Sequence, residues 1–372
     1  MRIIAGSSVR DGDGRDWIWD RCHNYIGYFL ADMSIFHIVD KYSEGSFLGL
    51  DLYIQNKAIF ITSQVKTEIL KYDIENQKFY MYKAQLPQEA SQYYSARLNQ
   101  TKIIMIAYEL KYPAVVFDMS SGNFEEVYWL NDSTYTEDII SRIEDSNDEI
   151  MIPVATRSDI FFIDKRNLQY SKVQLQTMNK IGVAYKNDIN EIWAVSSNGN
   201  KIIKYSEGKE CEIILSKENI ENLFSKLIKC GGLIIAIPRY GENIYLYSEK
   251  QKEVRAIRLP LDVDLPEGNY SLFWNCIQKN DKLFFLPWRY PQVVEMDLKT
   301  YELKNYSVSA QFSEPYRYIN IEMSVENDEI ELQCLIEYIK RSKSQQEIND
   351  VIQQIGKKIN DEISSEGKIV TN

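Results

Sequence analysis

Apolar residues in this chain come in short runs of four to six that are either solid or alternate with polar ones, as in "KLFFLP" at 282–287, "LIIAIP" at 233–238 and "EIMIP" at 149–153. Before residue 341 they do not recur at the three- and four-residue steps of a helix face, so each run predicts a strand, and the solid runs predict strands covered on both faces. The runs also share a layout. "DKLFFLPWRYPQVVEMDLKTYELKNYSV", "GGLIIAIPRYGENIYLYSEKQKEVRAIRL" and "NDEIMIPVATRSDIFFIDKRNLQYSKVQL" each carry an apolar strand to a proline (Pro287, Pro238, Pro153), then a polar loop, a second strand and a turn. Copies without the proline begin near residues 56, 101 and 189, and a weaker seventh spans 25–45.

Turn residues give the repeat a ruler: Asp40, Asp73, Asp118, Asp164, Ser206, Ser248 and Asp297, at successive spacings of 33, 45, 46, 42, 42 and 49 residues. A short oxygen-bearing side chain suits this place because it bonds backbone N–H groups two or three residues on and closes the turn. A unit of about 42–46 residues with four short strands is the size of a propeller blade. In this layout the chain resembles the β-propeller superfamily across residues 17–340. The Gly-His and Trp-Asp pairing of WD40 repeats and the diglycine of kelch repeats are absent from the repeated positions.

The resemblance implies an all-β fold, most simply a seven-bladed propeller whose last blade is closed by N- and C-terminal strands. The strands expected to share that blade are 25–33 and 34–41 from one end and 318–328 and 329–339 from the other. An N-terminal segment, 1–16, precedes it. Residues 341–372 differ in kind: Ser344 and Glu347 form a capping box, and Ile348, Ile352, Ile355, Ile359 and Ile363 follow at helical steps. They predict a C-terminal amphipathic helix that docks on the propeller, with pairing to a second copy as the alternative.

Composition narrows the partners. A net charge of −11 in 372 residues disfavours nucleic acid and anionic membrane, both of which are bound through basic surface. No apolar window reaches the roughly 18 residues of a membrane-spanning helix. The N-terminus lacks an apolar core of secretory type, and the five cysteines show no paired spacing, so a cytoplasmic protein with reduced, mostly buried thiols is expected. With only His23 and His37, a histidine metal site or proton relay is hard to build, and both are read as structural. "RDGDGRD" begins like a calcium loop, but Arg15 and Cys22 stand where ligands belong. No phosphate-loop, dinucleotide, zinc-protease or serine-hydrolase motif occurs. No cofactor or metal is expected.

The chemistry that remains lies in loops. In a propeller the loops between second and third strands surround one mouth of the axial channel. Here they read as 31–34, 62–68, 107–113, 154–159, 195–201, 239–243 and 288–292, with a charge near +1 in an acidic protein. Arg239-Tyr240 and Arg289-Tyr290 follow prolines at matching positions in adjacent repeats, with Trp288 alongside. Arginine offers bidentate donors to carboxylate, and aromatic residues are enriched at binding hot spots. The candidate ligand-binding residues are therefore Arg157, Arg239, Tyr240, Trp288, Arg289 and Tyr290; the alternative is that they only cover the blade ends. The expected function is a non-catalytic binding or scaffold module for an anionic ligand, an acidic glycan or a carboxylate-bearing peptide. A propeller hydrolase or lyase acting on saccharides or lactones is the alternative, with its catalytic residues unassigned.

Overall fold

The computed structural model describes residues 3–312, apart from 32, 87–89, 131, 188, 198, 217–223, 261–271, 289 and 291. These residues form seven sheets, antiparallel but for one closing strand, arranged as a propeller. We number the blades I to VII along the chain: 8–41, 49–83, 93–127, 144–174, 181–214, 224–258 and 273–306.

Burial follows position in the blade. Second strands such as Ala58–Ser63 and Leu233–Pro238 are buried almost throughout, because neighbouring blades cover both their faces. Outermost strands such as Glu253–Arg258 expose most of their residues. The cores lie between blades: Trp17 and Trp19 of blade I pack with Ile59 and Ile61 of blade II, and Ile18 packs on the other side with Phe284 and Leu286 of blade VII. Each such side chain contributes about 1.5–3 kcal/mol when taken fully out of water.

The turn ladder works as its chemistry predicts. Asp118 Oδ1 accepts from the N–H groups of Ser120 and Ser121 at 2.8 and 3.2 Å, and Asp297 Oδ1 does so from Lys299 and Thr300 at 2.8 and 3.0 Å. Four residues on, the chain turns left-handed in five blades, at Gln77, Gly122, Leu168, Lys252 and Tyr301, with φ between 49° and 75°. Only one of these five is glycine, so most blades bear the cost of a side chain in that conformation.

Blade I departs from the sequence reading by one strand. Its order outward from the axis is Ser8–Arg10, Asp16–Asp20, Tyr25–Phe29 and Ile35–Lys41, followed by Ser309–Phe312. The segment expected to precede the propeller thus supplies the innermost strand. Asp40 lies on the fourth strand, not the third, which explains the short first spacing of 33 residues. Its carboxyl closes no five-residue turn; burial pushes it up to about 6 while the Lys41 N–H pulls it back.

Closure joins the two ends of the described chain. Ser309–Phe312 pairs in parallel with Ile35–Lys41, with Ser309 opposite Ile35 and Phe312 opposite Ile38. The strands expected at 318–339 and the tail at 341–372 lie outside the described residues.

A candidate ligand site at the channel mouth

Innermost strands begin, and second strands end, on the same face of the disc. The axial channel opens there into a cavity of about 240 Å³. Six blades line it, through Ser8, Asp51, Tyr53, Ser95, Arg142, Glu144, Lys226, Trp274 and Asn275 among others.

A stack of four side chains roofs one side of the cavity. Trp274, at the start of the innermost strand of blade VII, lies against Trp288, which follows its second strand, with ring centroids 5.0 Å apart and planes 29° from parallel. The Arg21 guanidinium lies 4.4 Å from the Trp288 ring, and that of Arg142 lies 5.0 Å from the Trp274 ring. Both outer faces of the tryptophan pair are therefore occupied by cations. Neither arginine forms an ion pair among the described residues. Arg21 donates to Gln64 Oε1 at 2.9 Å, and Arg142 donates to the Trp274 carbonyl. Burial pulls Arg21 down to about 10, still well above neutrality, so it remains charged. A desolvated cation without a carboxylate is costly to a fold and common in binding sites.

Arg239 reaches the same mouth from blade VI. It stands 5.3 Å from the Tyr240 ring and close enough to the Tyr94 and Tyr108 hydroxyls to oppose the upward push of burial on both; Tyr94 rises to about 12. Tyr94 also lines the cavity, so it connects Arg239 above to Asp51 and Arg142 below.

Within the cavity, Ser95 Oγ donates to Asp51 Oδ2 at 2.9 Å and in turn receives the Tyr53 hydroxyl at 3.0 Å. Burial raises the Asp51 carboxyl above its ordinary range, and Arg142, Ser95 and Lys226 bring it only part of the way back. Asp51 is half-buried and lines the cavity, so it is partly desolvated while still facing open space. Lys226 is 3.6 Å from Glu144 and 3.3 Å from Asn275 Oδ1.

The residues singled out from sequence do not all converge. Arg239 and Trp288 reach the mouth, and Tyr240 packs half-buried beneath Arg239 against the core of blades V and VI. Arg157 is on the right face but is turned aside: it pairs with Asp138 at 2.7 Å and covers the Tyr135 ring at 4.6 Å. Tyr290 is a correction. It is fully buried beside Phe273, donates to the Pro260 carbonyl at 2.7 Å and accepts from Asn305 at 3.0 Å, and so offers nothing to a ligand. Arg289 lies outside the described residues. Trp288 presents no free ring face.

Arg21, Arg142 and Trp274 were missed. Arg21 occupies the true second-to-third-strand loop of blade I, and the signal for it was the anomalous 33-residue spacing, which marks a strand misnumbered by one. Correcting it puts Arg21 in the mouth. The two histidines are structural as expected: His23 Nδ1 bonds the buried Asp20 carboxylate at 2.6 Å, and His37 stacks on Tyr28. Of the four described cysteines, Cys22 and Cys211 are exposed, against the expectation of mostly buried thiols. No cluster of metal-ligating side chains occurs among the described residues.

No protein-family model matches the chain, and no curated protein matches it. Solved structures do. Virginiamycin B lyase from Staphylococcus aureus superposes with a TM-score of 0.59 at 13% identity, over 79% of this chain and 96% of that one. YCF48 bound to D1 peptide gives 0.58 at 11%, over 83% and 94%. The dihydro-heme d1 dehydrogenase NirN gives 0.58 at 11%, over 81% and 65%. Identities this low show the propeller fold and no more.

Proposed function

We propose that this propeller is a binding module whose channel mouth captures a carboxylate-bearing peptide. The observation that carries the reading is the pair of half-buried arginines, Arg21 and Arg142, held on the outer faces of a tryptophan stack with no carboxylate partner among the described residues. Their ring-facing surfaces are used, but their N–H edges remain to be met, and a carboxylate meets a guanidinium edge with two parallel hydrogen bonds. Arg239 reaches the same rim, and Arg289 is its counterpart by sequence register in the next repeat. An acidic glycan fits less well, because its sugar faces want free aromatic rings and Trp274 and Trp288 have none to give. Among proteins of like fold, YCF48 is seen with a peptide.

The test is a binding screen of acidic and neutral peptides and glycans against the wild type and the Arg239→Ala/Arg289→Ala double variant. Acidic peptides bind the wild type, and the variant binds them at least tenfold more weakly, as loss of two charge-assisted bonds of about 1.5–3 kcal/mol each requires. Equal binding by both proteins contradicts the reading.

A second reading, a hydrolase or lyase acting on saccharides or lactones, is favoured by Asp51, a carboxyl raised by burial and so suited to donate a proton. Turnover of a sugar-ester or lactone panel that disappears in Asp51→Asn supports it; a panel left intact by the wild type rejects it.

A further inference from the structure

Beneath the mouth, the axial cavity presents two opposite charges that do not touch. Arg142 and Asp51 face the same space and influence each other, yet they form no ion pair. Each retains bonding capacity. Arg142 spends one N–H on the Trp274 carbonyl, and the Asp51 carboxylate accepts from Ser95 through its hydroxyl and its backbone N–H. Lys226 and Glu144 repeat the two signs nearby, loosely joined at 3.6 Å. The rest of the lining is mostly polar; Leu50, Ile143 and Trp274 belong to its small apolar part, at 1%, 7% and 7% exposure.

A ligand that satisfies both charges is cationic at one end and anionic at the other. The volume of about 240 Å³ holds roughly eight waters at ~30 Å³ each, enough for a compact molecule but too small for a folded segment of chain. So limited an apolar part accommodates no more than a short hydrocarbon side chain.

We propose that the axial cavity binds a free α-amino acid with a small apolar side chain, its carboxylate on Arg142, its ammonium on Asp51 and its side chain against Leu50 and Ile143. This site goes beyond the peptide-binding mouth: it shares Arg142 with it but depends on Asp51, which the mouth does not use.

Calorimetric titration of the full chain with L-alanine and L-valine, and with N-acetyl-L-alanine and L-alaninamide, is the test. The two amino acids bind. Masking either charge weakens binding at least tenfold, as do Asp51→Asn and Arg142→Gln. Failure of both amino acids to bind the wild type, or equal binding of the masked analogues, overturns the proposal whether or not the variants fold. Failure here is separable from failure of the mouth: Asp51→Asn leaves acidic-peptide binding intact, whereas Arg21→Met weakens the peptide and spares the amino acid.

Discussion

Arg21→Met is a substitution that should stabilise the protein while damaging its site. The fall of the Arg21 guanidinium to about 10 corresponds to about 3 kcal/mol of charge held out of water. Against this stand a cation–π contact with Trp288, worth about 0.5–2 kcal/mol, and one hydrogen bond to Gln64, worth about 1.5 kcal/mol net. The terms nearly cancel, and methionine adds polarizable packing against the indole that arginine's stem only partly supplies. The expected change is therefore between zero and a gain of about 1 kcal/mol, or up to ~1–2 °C in melting temperature for a chain of this length. Binding of an acidic peptide should fall at least tenfold. Chemical denaturation and peptide titration on the same preparation read both quantities. A loss of more than about 2 kcal/mol in stability would show that Arg21 braces the fold, and the argument from an uncompensated charge would fail.

Three further outcomes follow from the same geometry. Tyr290→Phe removes a buried hydroxyl from Pro260 and Asn305 and should cost about 1–3 kcal/mol in stability with no change in peptide binding, measured by denaturation and titration. His23 is opposed by burial, yet its hydrogen bonds to Asp20 and Cys22 lift it to about 10, above its ordinary 6.5. The stabilisation this gives is complete below pH 6.5 and is lost as pH rises through 10; urea unfolding at pH 6 and pH 10 should show a larger loss for wild type than for His23→Gln. Removing residues 1–41 deletes all four N-terminal strands of blade I and both its inter-blade cores, so circular dichroism should show no cooperative melt; an unchanged melting temperature would refute closure through that blade.

The architecture was legible because blade chemistry repeats. Six copies carry the same solid second strand and an oxygen at the end of the third, and six weak signals in register make a strong one. Blade I was misread because its innermost strand, Ser8–Arg10, is three residues long and carries Ser, Val and Arg, with no apolar run to announce it. The site was half legible for a related reason. Arg239 and Trp288 follow repeated prolines and could be found by register. Arg142 and Trp274 sit where linkers enter innermost strands, positions that no repeated residue marks, and their meeting is set by the circular arrangement of blades IV and VII. Tyr290 shows the opposite failure: a tyrosine in a mouth loop reads as a contact, but whether its ring turns out to solvent or in to Phe273 is decided by packing.

The central claim, that the mouth reads a carboxylate through arginine edges, is tested most directly by titrating the wild-type protein with one peptide in two forms, differing only in whether its acidic side chains are carboxylates or the matching amides. The account predicts that the carboxylate form binds at least tenfold more tightly and that the difference shrinks with added salt. Equal affinity for the two forms, or binding of neither, would contradict it.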